Sequence, residues 1–255
     1  MNLGKSIKTF VIYLKTLNLF LKIQFYSFKM QIKYYGHSCF SVNVGEKVLL
    51  FDPFISPNEL ANKIDIMTLK VDYILISHAH FDHIADVVAI AKNCNATIVA
   101  NWEIGAWAEA QGIEKVHRMN IGGFWEFDFG KLQMVKAVHS SSFPDGSYGG
   151  NTVGFVISGT DKTFYYSGDT ALNLDMQLIP QRHNLDFAFL PIGNCYTMDV
   201  TDAVTASNFI KCNHIIGMHY DTFGYIKINH QDAINQFNIA GKILTLMNIE
   251  QTLEF

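Results

Sequence analysis

Residues Val71–His83 read VDYILISHAHFDH, an apolar run that breaks off into four side chains able to bind a cation. Val71–Ser77 is continuous in apolar character and bounded by polar residues, which predicts a strand buried on both faces. His78, His80, Asp82 and His83 follow within six residues, just before a predicted helix over Ile84–Lys92. Loops at the carboxyl ends of strands are where open α/β folds place their sites. Imidazole and carboxylate together suit zinc and its first-row neighbours. Burying three histidines and an aspartate this close together without a partner would be costly, so the spacing argues for ligands rather than packing.

Three more residues of ligand type sit at or just beyond apolar strands: His139 in VKAVHSSS, Asp169 in FYYSGDT and His219 in IIGMHYDTF. Strands are predicted at Gln31–Tyr35, Cys39–Val44 and Lys47–Phe51, the last two joined by a Gly45 hairpin and the third ended by Asp52-Pro53. A strand at Ala96–Ala100 and a helix at Glu103–Gln111 complete a βαβα stretch, which implies local parallel order. Further strands are predicted at Phe124–Phe129, Lys131–Val138, Thr152–Ser158, Lys162–Ser167 and Leu185–Leu190. The chain then returns to α/β, with helix Val200–Cys212, strand His214–Met218, helix Gln231–Ala240 and strand Lys242–Met247. Two α/β halves without an internal repeat point to a layered sandwich with helices outside.

The composition bounds the function. Hydrophobic residues make up 49% of 255 and charged residues 16%, ample for a core and incompatible with global disorder. Residues 1–29 hold five lysines and no acid, so the rest of the chain carries 14 basic against 23 acidic residues, a net −9. That balance offers no footprint for nucleic acid. Arg118 and Arg182 are the two arginines, too few for a phosphate clamp of several guanidinium groups. A small, uncharged or modestly anionic substrate fits better. Cys39, Cys94, Cys195 and Cys212 are widely spaced, which favours a reducing, cytoplasmic setting over a disulfide framework. Met30 opens MQIKYYGHSCF like a domain start. Residues 1–29 then read as an upstream extension or as an amphipathic helix with lysines every seven residues. Membrane contact is expected only in the second case.

The order HxHxDH, a distant histidine, an aspartate and a final histidine resembles the signature of the metallo-β-lactamase superfamily. The match runs over roughly residues 30–255. The segments GHSCF, LPIGNCYTMDVTDA and MHYDTF resemble its uncharacterised metal-dependent hydrolase branch, near the ascorbate-6-phosphate lactonase-type proteins. The resemblance implies an αββα four-layer sandwich holding two divalent metal ions, zinc first, with manganese, iron or nickel also suited. It implies that His78, His80 and His139 hold one ion, that Asp82, His83 and His219 hold the other, and that Asp169 bridges them. Asp82 and Asp169 are thereby the catalytic carboxylates. The implied activity is hydrolysis of a small-molecule lactone, ester or amide by a bridging hydroxide. Phosphodiester or phospholipid cleavage is the runner-up. A di-iron redox protein and a non-catalytic binding module are the remoter alternatives, and homo-oligomerisation stays open.

His37, in the turn GHS, is expected to touch substrate or a ligand, and Asp52 to orient a ligand histidine. Asn194 and Thr197 are expected to line the substrate pocket, with Thr201 capping the helix that follows. Ser140–Ser142 and Gly146–Gly154 read as a flexible rim, and Asp221 as a structural carboxylate. His117, His183, His214 and His230 read as surface or loop histidines. Phe124, Trp125, Phe127 and Phe129 read as core and rim packing. For Trp102 and Trp107 a place facing the pocket stays open.

Overall fold

Two hairpin-forming and two parallel tracts of apolar sequence build a pair of facing sheets. The structure is a computed structural model that describes residues 30–255. The expectation of an extension or amphipathic helix falls on residues 1–29, outside the described residues. The strands are β1 (Gln31–Gly36), β2 (Cys39–Val44), β3 (Lys47–Phe51), β4 (Tyr73–Leu75), β5 (Thr97–Ala100), β6 (Val116–Arg118) and β7 (Phe124–Phe127). They continue as β8 (Gly130–Lys136), β9 (Val153–Ser158), β10 (Thr163–Tyr166), β11 (Phe187–Pro191), β12 (His214–Met218), β13 (Ile243–Thr245) and β14 (Thr252–Glu254). One sheet runs β14-β1-β2-β3-β4-β5-β6 and the other β13-β12-β11-β10-β9-β8-β7.

The period-2 alternation of each strand assigns the layers. Phe51, Phe155, Phe164, Tyr166, Phe187 and Phe189 point between the sheets, where Phe51 stacks on Tyr166 at 4.5 Å and Phe40 meets Phe189 at 4.7 Å. Leu50, Ile74 and Ile98 face the other way, against α1 (Phe81–Ile84), α2 (Val87–Cys94) and α3 (Trp102–Ala110). Tyr165, Ala188 and Ile215 cover α4 (Val200–Phe209) and α5 (His230–Ile239). Helix, sheet, sheet, helix is the αββα sandwich. Each fully buried aromatic or branched side chain contributes about 1.5–3 kcal/mol, so the three layers of contact carry the stability.

β3, β4, β5 and β6 pair in parallel, as do β10, β11, β12 and β13. Parallel order sends the carboxyl ends of each set to one edge, so the turns after β3, β4, β10, β11 and β12 meet. Two local expectations are corrected. The helix over Ile84–Lys92 is two pieces, because the Asp86 carboxylate accepts from Ile55 N (2.6 Å), Ser56 N (2.8 Å) and the Ser56 hydroxyl instead of serving a continuous helix. The strand over Val71–Ser77 pairs regularly only at Tyr73–Leu75, because the backbone peels off toward the ligand loop.

Candidate metal centre

The site assembles from buried backbone that has no freedom to relax. Asp52 ends β3 in a left-handed turn (φ 42°) with its carboxylate fully buried. That carboxylate accepts from Ser77 N (2.7 Å), Ser77 Oγ (2.5 Å), Tyr166 OH (2.8 Å) and His83 Nδ1 (2.8 Å). Four donors hold it, one on Oδ1 and three on Oδ2, so Asp52 orients its neighbours; its carboxylate also lies within 4.8 Å of ring nitrogens of His78 and His83. Since Nδ1 of His83 donates to Asp52, its Nε2 points into the cavity, where it is buried without a hydrogen-bond partner. Ser77 gives its proton to Asp52, so His78 Nδ1 donates to Ser77 Oγ at 2.9 Å and its Nε2 also turns inward. These tautomers are assigned from the network.

Asp169, at the end of β10, is the meeting point. Its Oδ2 lies 3.9 Å from His78 Nε2 and 3.7 Å from His139 Nε2, and nearer the other group at 3.3 Å from His83 Nε2 and 2.9 Å from His219 Nε2. Its Oδ1 is buried and unpartnered, as is His219 Nδ1. The ligand atoms of His78, His80 and His139 lie within 4.8 Å of one another, and so do those of His37, Asp82, His83 and His219. All seven residues expected as ligands are therefore brought together, in two adjacent groups with Asp169 between them. Buried polar atoms without a hydrogen-bond partner, His83 Nε2, Asp169 Oδ1 and His219 Nδ1, are what a divalent cation would help satisfy.

Electrostatics keep His78, His80 and His139 neutral and Asp82 and Asp169 ionised, the forms that bind a cation, and hold a proton on His83 while no cation replaces it. Burial, followed by neighbouring His83, holds His78 well below the ordinary histidine range, and burial lowers the pKa of His80 and of His139. Burial opposes ionisation of Asp82 and Asp169, but His83 beside Asp82, and His219 with His83 beside Asp169, outweigh it and hold both as carboxylates. For His83 burial also disfavours the charge, and Asp169, Asp52 and Asp82 overturn that, raising its pKa well above normal. The pocket is thus a seat for positive charge.

His37 is 1% exposed and its ring touches the expected ligand Asp82. Burial and then His219 lower its pKa to about 4. The neutral ring donates from Nε2 to Asp82 Oδ2 at 3.0 Å and accepts from the Thr222 hydroxyl at Nδ1, also 3.0 Å. His37 and His219 both hold positive φ, near 56°, and His219 N donates to His37 O at 3.0 Å. Strained φ at His37, Asp52, His219 and Asp221 clusters on this edge, as strain does where surrounding structure over-determines a functional geometry.

The remaining expectations divide. Ser140 Oγ lies 3.3 Å from His80 Nε2, and Ser141 Oγ accepts from Ala79 N, so the rim loop touches the ligand loop directly. Asn194 is exposed and spends its side chain on Cys195 N, a turn role. Thr197 is half-buried with its hydroxyl unpartnered. Gly193 is required because a Cβ there would collide with the His219 carbonyl. The cap of α4 is Asp199, which accepts from Asp202 N, while Thr201 bonds Gln236. Asp221 is structural, accepting from Ile228 N and His230. Trp102 lies under the Arg118 guanidinium and Trp107 beside Phe143. Trp125 is exposed rather than packed. Ser77, Tyr166 and Thr222 were not anticipated, since only the fold puts their hydroxyls against Asp52 and His37.

Among the described residues no helix is long and apolar enough to cross a membrane. Residues 31–219 match the model of the Beta-lactamase superfamily domain. A UPF0173 metal-dependent hydrolase of Flavobacterium johnsoniae is 56% identical over 225 residues, 88% of this chain and 100% of that protein. One from Methylacidiphilum infernorum is 48% identical over 224 residues, 88% of this chain and 99% of its own. The structure of a metallo hydrolase from Ignicoccus hospitalis superposes with a TM-score of 0.81 at 30% identity, covering 89% of this chain and 98% of that one. With its αββα sandwich and its His/Asp groups at one sheet edge, this chain belongs to the UPF0173 metal-dependent hydrolases of the beta-lactamase superfamily.

Proposed function

We propose that the centre holds two divalent cations, zinc by preference, and hydrolyses a lactone, ester or amide of a small molecule in the cytoplasm. The observation that carries this is Asp169 Oδ2, within 4 Å of Nε2 atoms from both histidine groups. A short carboxylate so placed would be a ligand that two neighbouring cations could share. His78, His80 and His139 would hold one, and Asp82, His83 and His219 the other. When bound, such a pair lowers the pKa of a water to about 7 and polarises the scissile oxygen.

The chain's own residues do the rest. Asp52 fixes His83 and, through Ser77, His78. His37 fixes Asp82. Ser140, Tyr148 and Asn151 line a cavity of about 550 Å³ that includes His139 and gives substrate its approach. The acidic balance of residues 30–255 supports a small substrate over nucleic acid.

The test loads the protein separately with Zn²⁺ and Mn²⁺ and assays lactones, esters, amides and phosphodiesters, sugar-acid lactones first. Asp169→Ala serves as the blank. Turnover of a lactone, ester or amide at two metals per chain, lost in the variant, is the expected result. Turnover confined to phosphodiesters, or undiminished in Asp169→Ala, overturns the reading.

A further inference from the structure

Beyond the metal edge lies a second cavity, of about 480 Å³, between the β7–β8 ribbon and the 3-10 segment Leu174–Gln181. Phe124, Val135, Met176, Leu178 and Ile179 line it. Ile121 and Lys136 line both this cavity and the one that contains His139, so the two abut. The apolar lining is continuous with an exposed apolar rim, where Leu174 is 73% and Leu178 57% exposed.

The charges around it are uneven. Lys136, between the cavities, is neutralised by Asp175 at 2.6 Å. Arg182 lines the second cavity with its guanidinium 5.7 Å from the centre of the Phe124 ring, and Lys131 Nζ lies 5.0 Å from the same ring. Among the described residues neither cation has a carboxylate within ion-pair distance. Arg118, by contrast, is bound to Glu109. In a body of net −9, two unpaired cations on one aromatic ring, beside an apolar cavity that adjoins the metal edge, form a site with a definite ligand chemistry.

We propose that this second cavity seats the non-reacting end of the substrate, an apolar chain or ring closed by an anionic group, a carboxylate or phosphate, that pairs with Arg182. The inference rests on the reading of the metal edge as the reacting centre, and it names the substrate class: an acyl compound with an anionic terminus. The guanidinium presents a planar donor fork suited to either anion. The apolar wall contributes by removing the spacer from water.

The experiment measures binding of succinate, adipate and suberate to the zinc-loaded full chain by calorimetry, against butyrate, hexanoate and octanoate. One carboxylate of each diacid would take the product position at the metal edge, the other the Arg182 end. At the length that spans the two cavities the diacid is expected to bind about tenfold tighter than its monoacid, the scale of one charge-assisted hydrogen bond. Arg182→Ala removes that advantage at unchanged metal content, and Arg182→Lys restores part of it. Equal affinity of diacid and monoacid at every length, or an advantage that survives in Arg182→Ala, overturns the proposal. Phosphate-terminated analogues of the spanning length distinguish the two anions. Binding is read without turnover, so a failure of the hydrolase reading shows separately, as metal-loaded protein inert on every ester, lactone and amide.

Discussion

His37 Nε2 and Asp82 Oδ2 lie 3.0 Å apart across 45 residues of sequence, one on the first hairpin and the other on the first turn of α1. The hairpin turn carries a strained φ to make the contact, and Thr222 completes the chain from the turn after β12. Asp82 is thereby aimed before any ligand arrives, which is the ordinary work of a residue standing behind a metal ligand.

Removing that aim costs metal rather than fold. His37→Leu is expected to weaken binding at the Asp82–His83–His219 group about 10–100-fold, in line with other residues that orient ligands. His37→Gln, which keeps a donor for Asp82, retains more of the affinity. Chelator competition followed by metal analysis reads the difference. Equal affinity in wild type and His37→Leu would show that Asp82 holds its place unaided.

Asp52→Ala strips the acceptor from Ser77, Tyr166 and His83 at once. Breaking a buried pair of this kind costs about 3–5 kcal/mol, so the urea midpoint should drop sharply. Metal content should fall with it, because His83 is then free to turn. A small stability change would mean that water replaces the carboxylate.

Asp169→Asn keeps the volume but withdraws the charge that faces four histidines. Metal analysis should give less than the wild-type content, and ester turnover should vanish. His230→Ala, on the exposed face, changes neither. Full metal content in Asp169→Asn would remove Asp169 from the bridging position.

His183 has its pKa lowered by burial, then by Lys131 and Arg182. Its folded value lies below the unfolded one, so as pH falls below the ordinary histidine range the unfolded chain takes the proton first. Stability therefore declines with falling pH through that window and is regained above it. Arg182→Ala should raise the His183 pKa, read as a shift of its ring-proton titration in NMR. An unmoved titration would place Arg182 too far from His183 to sense it.

Much of this was legible beforehand because ligand chemistry is local. His78, His80, Asp82 and His83 follow one strand, and His139, Asp169 and His219 each sit at or just past the end of another, so residue type and strand position sufficed. The segment Lys162–Ser167 was likewise legible as a strand, which the structure shows at Thr163–Tyr166. Helix ends and short edge strands such as Thr252–Glu254 were not legible, because three residues carry too little pattern and their pairing partners lie far away in sequence.

What the sequence determined by itself was a layered sandwich with helices outside and a set of candidate ligands, since periodicity and side-chain chemistry are properties of short segments. What only the tertiary structure decided was which atoms of those ligands face inward. That depends on Asp52, Ser77, Tyr166, His37 and Thr222 converging from five different segments. Hydrogen-bond geometry between residues more than a hundred positions apart, such as Tyr166 and Asp52, exists only once the two sheets have packed.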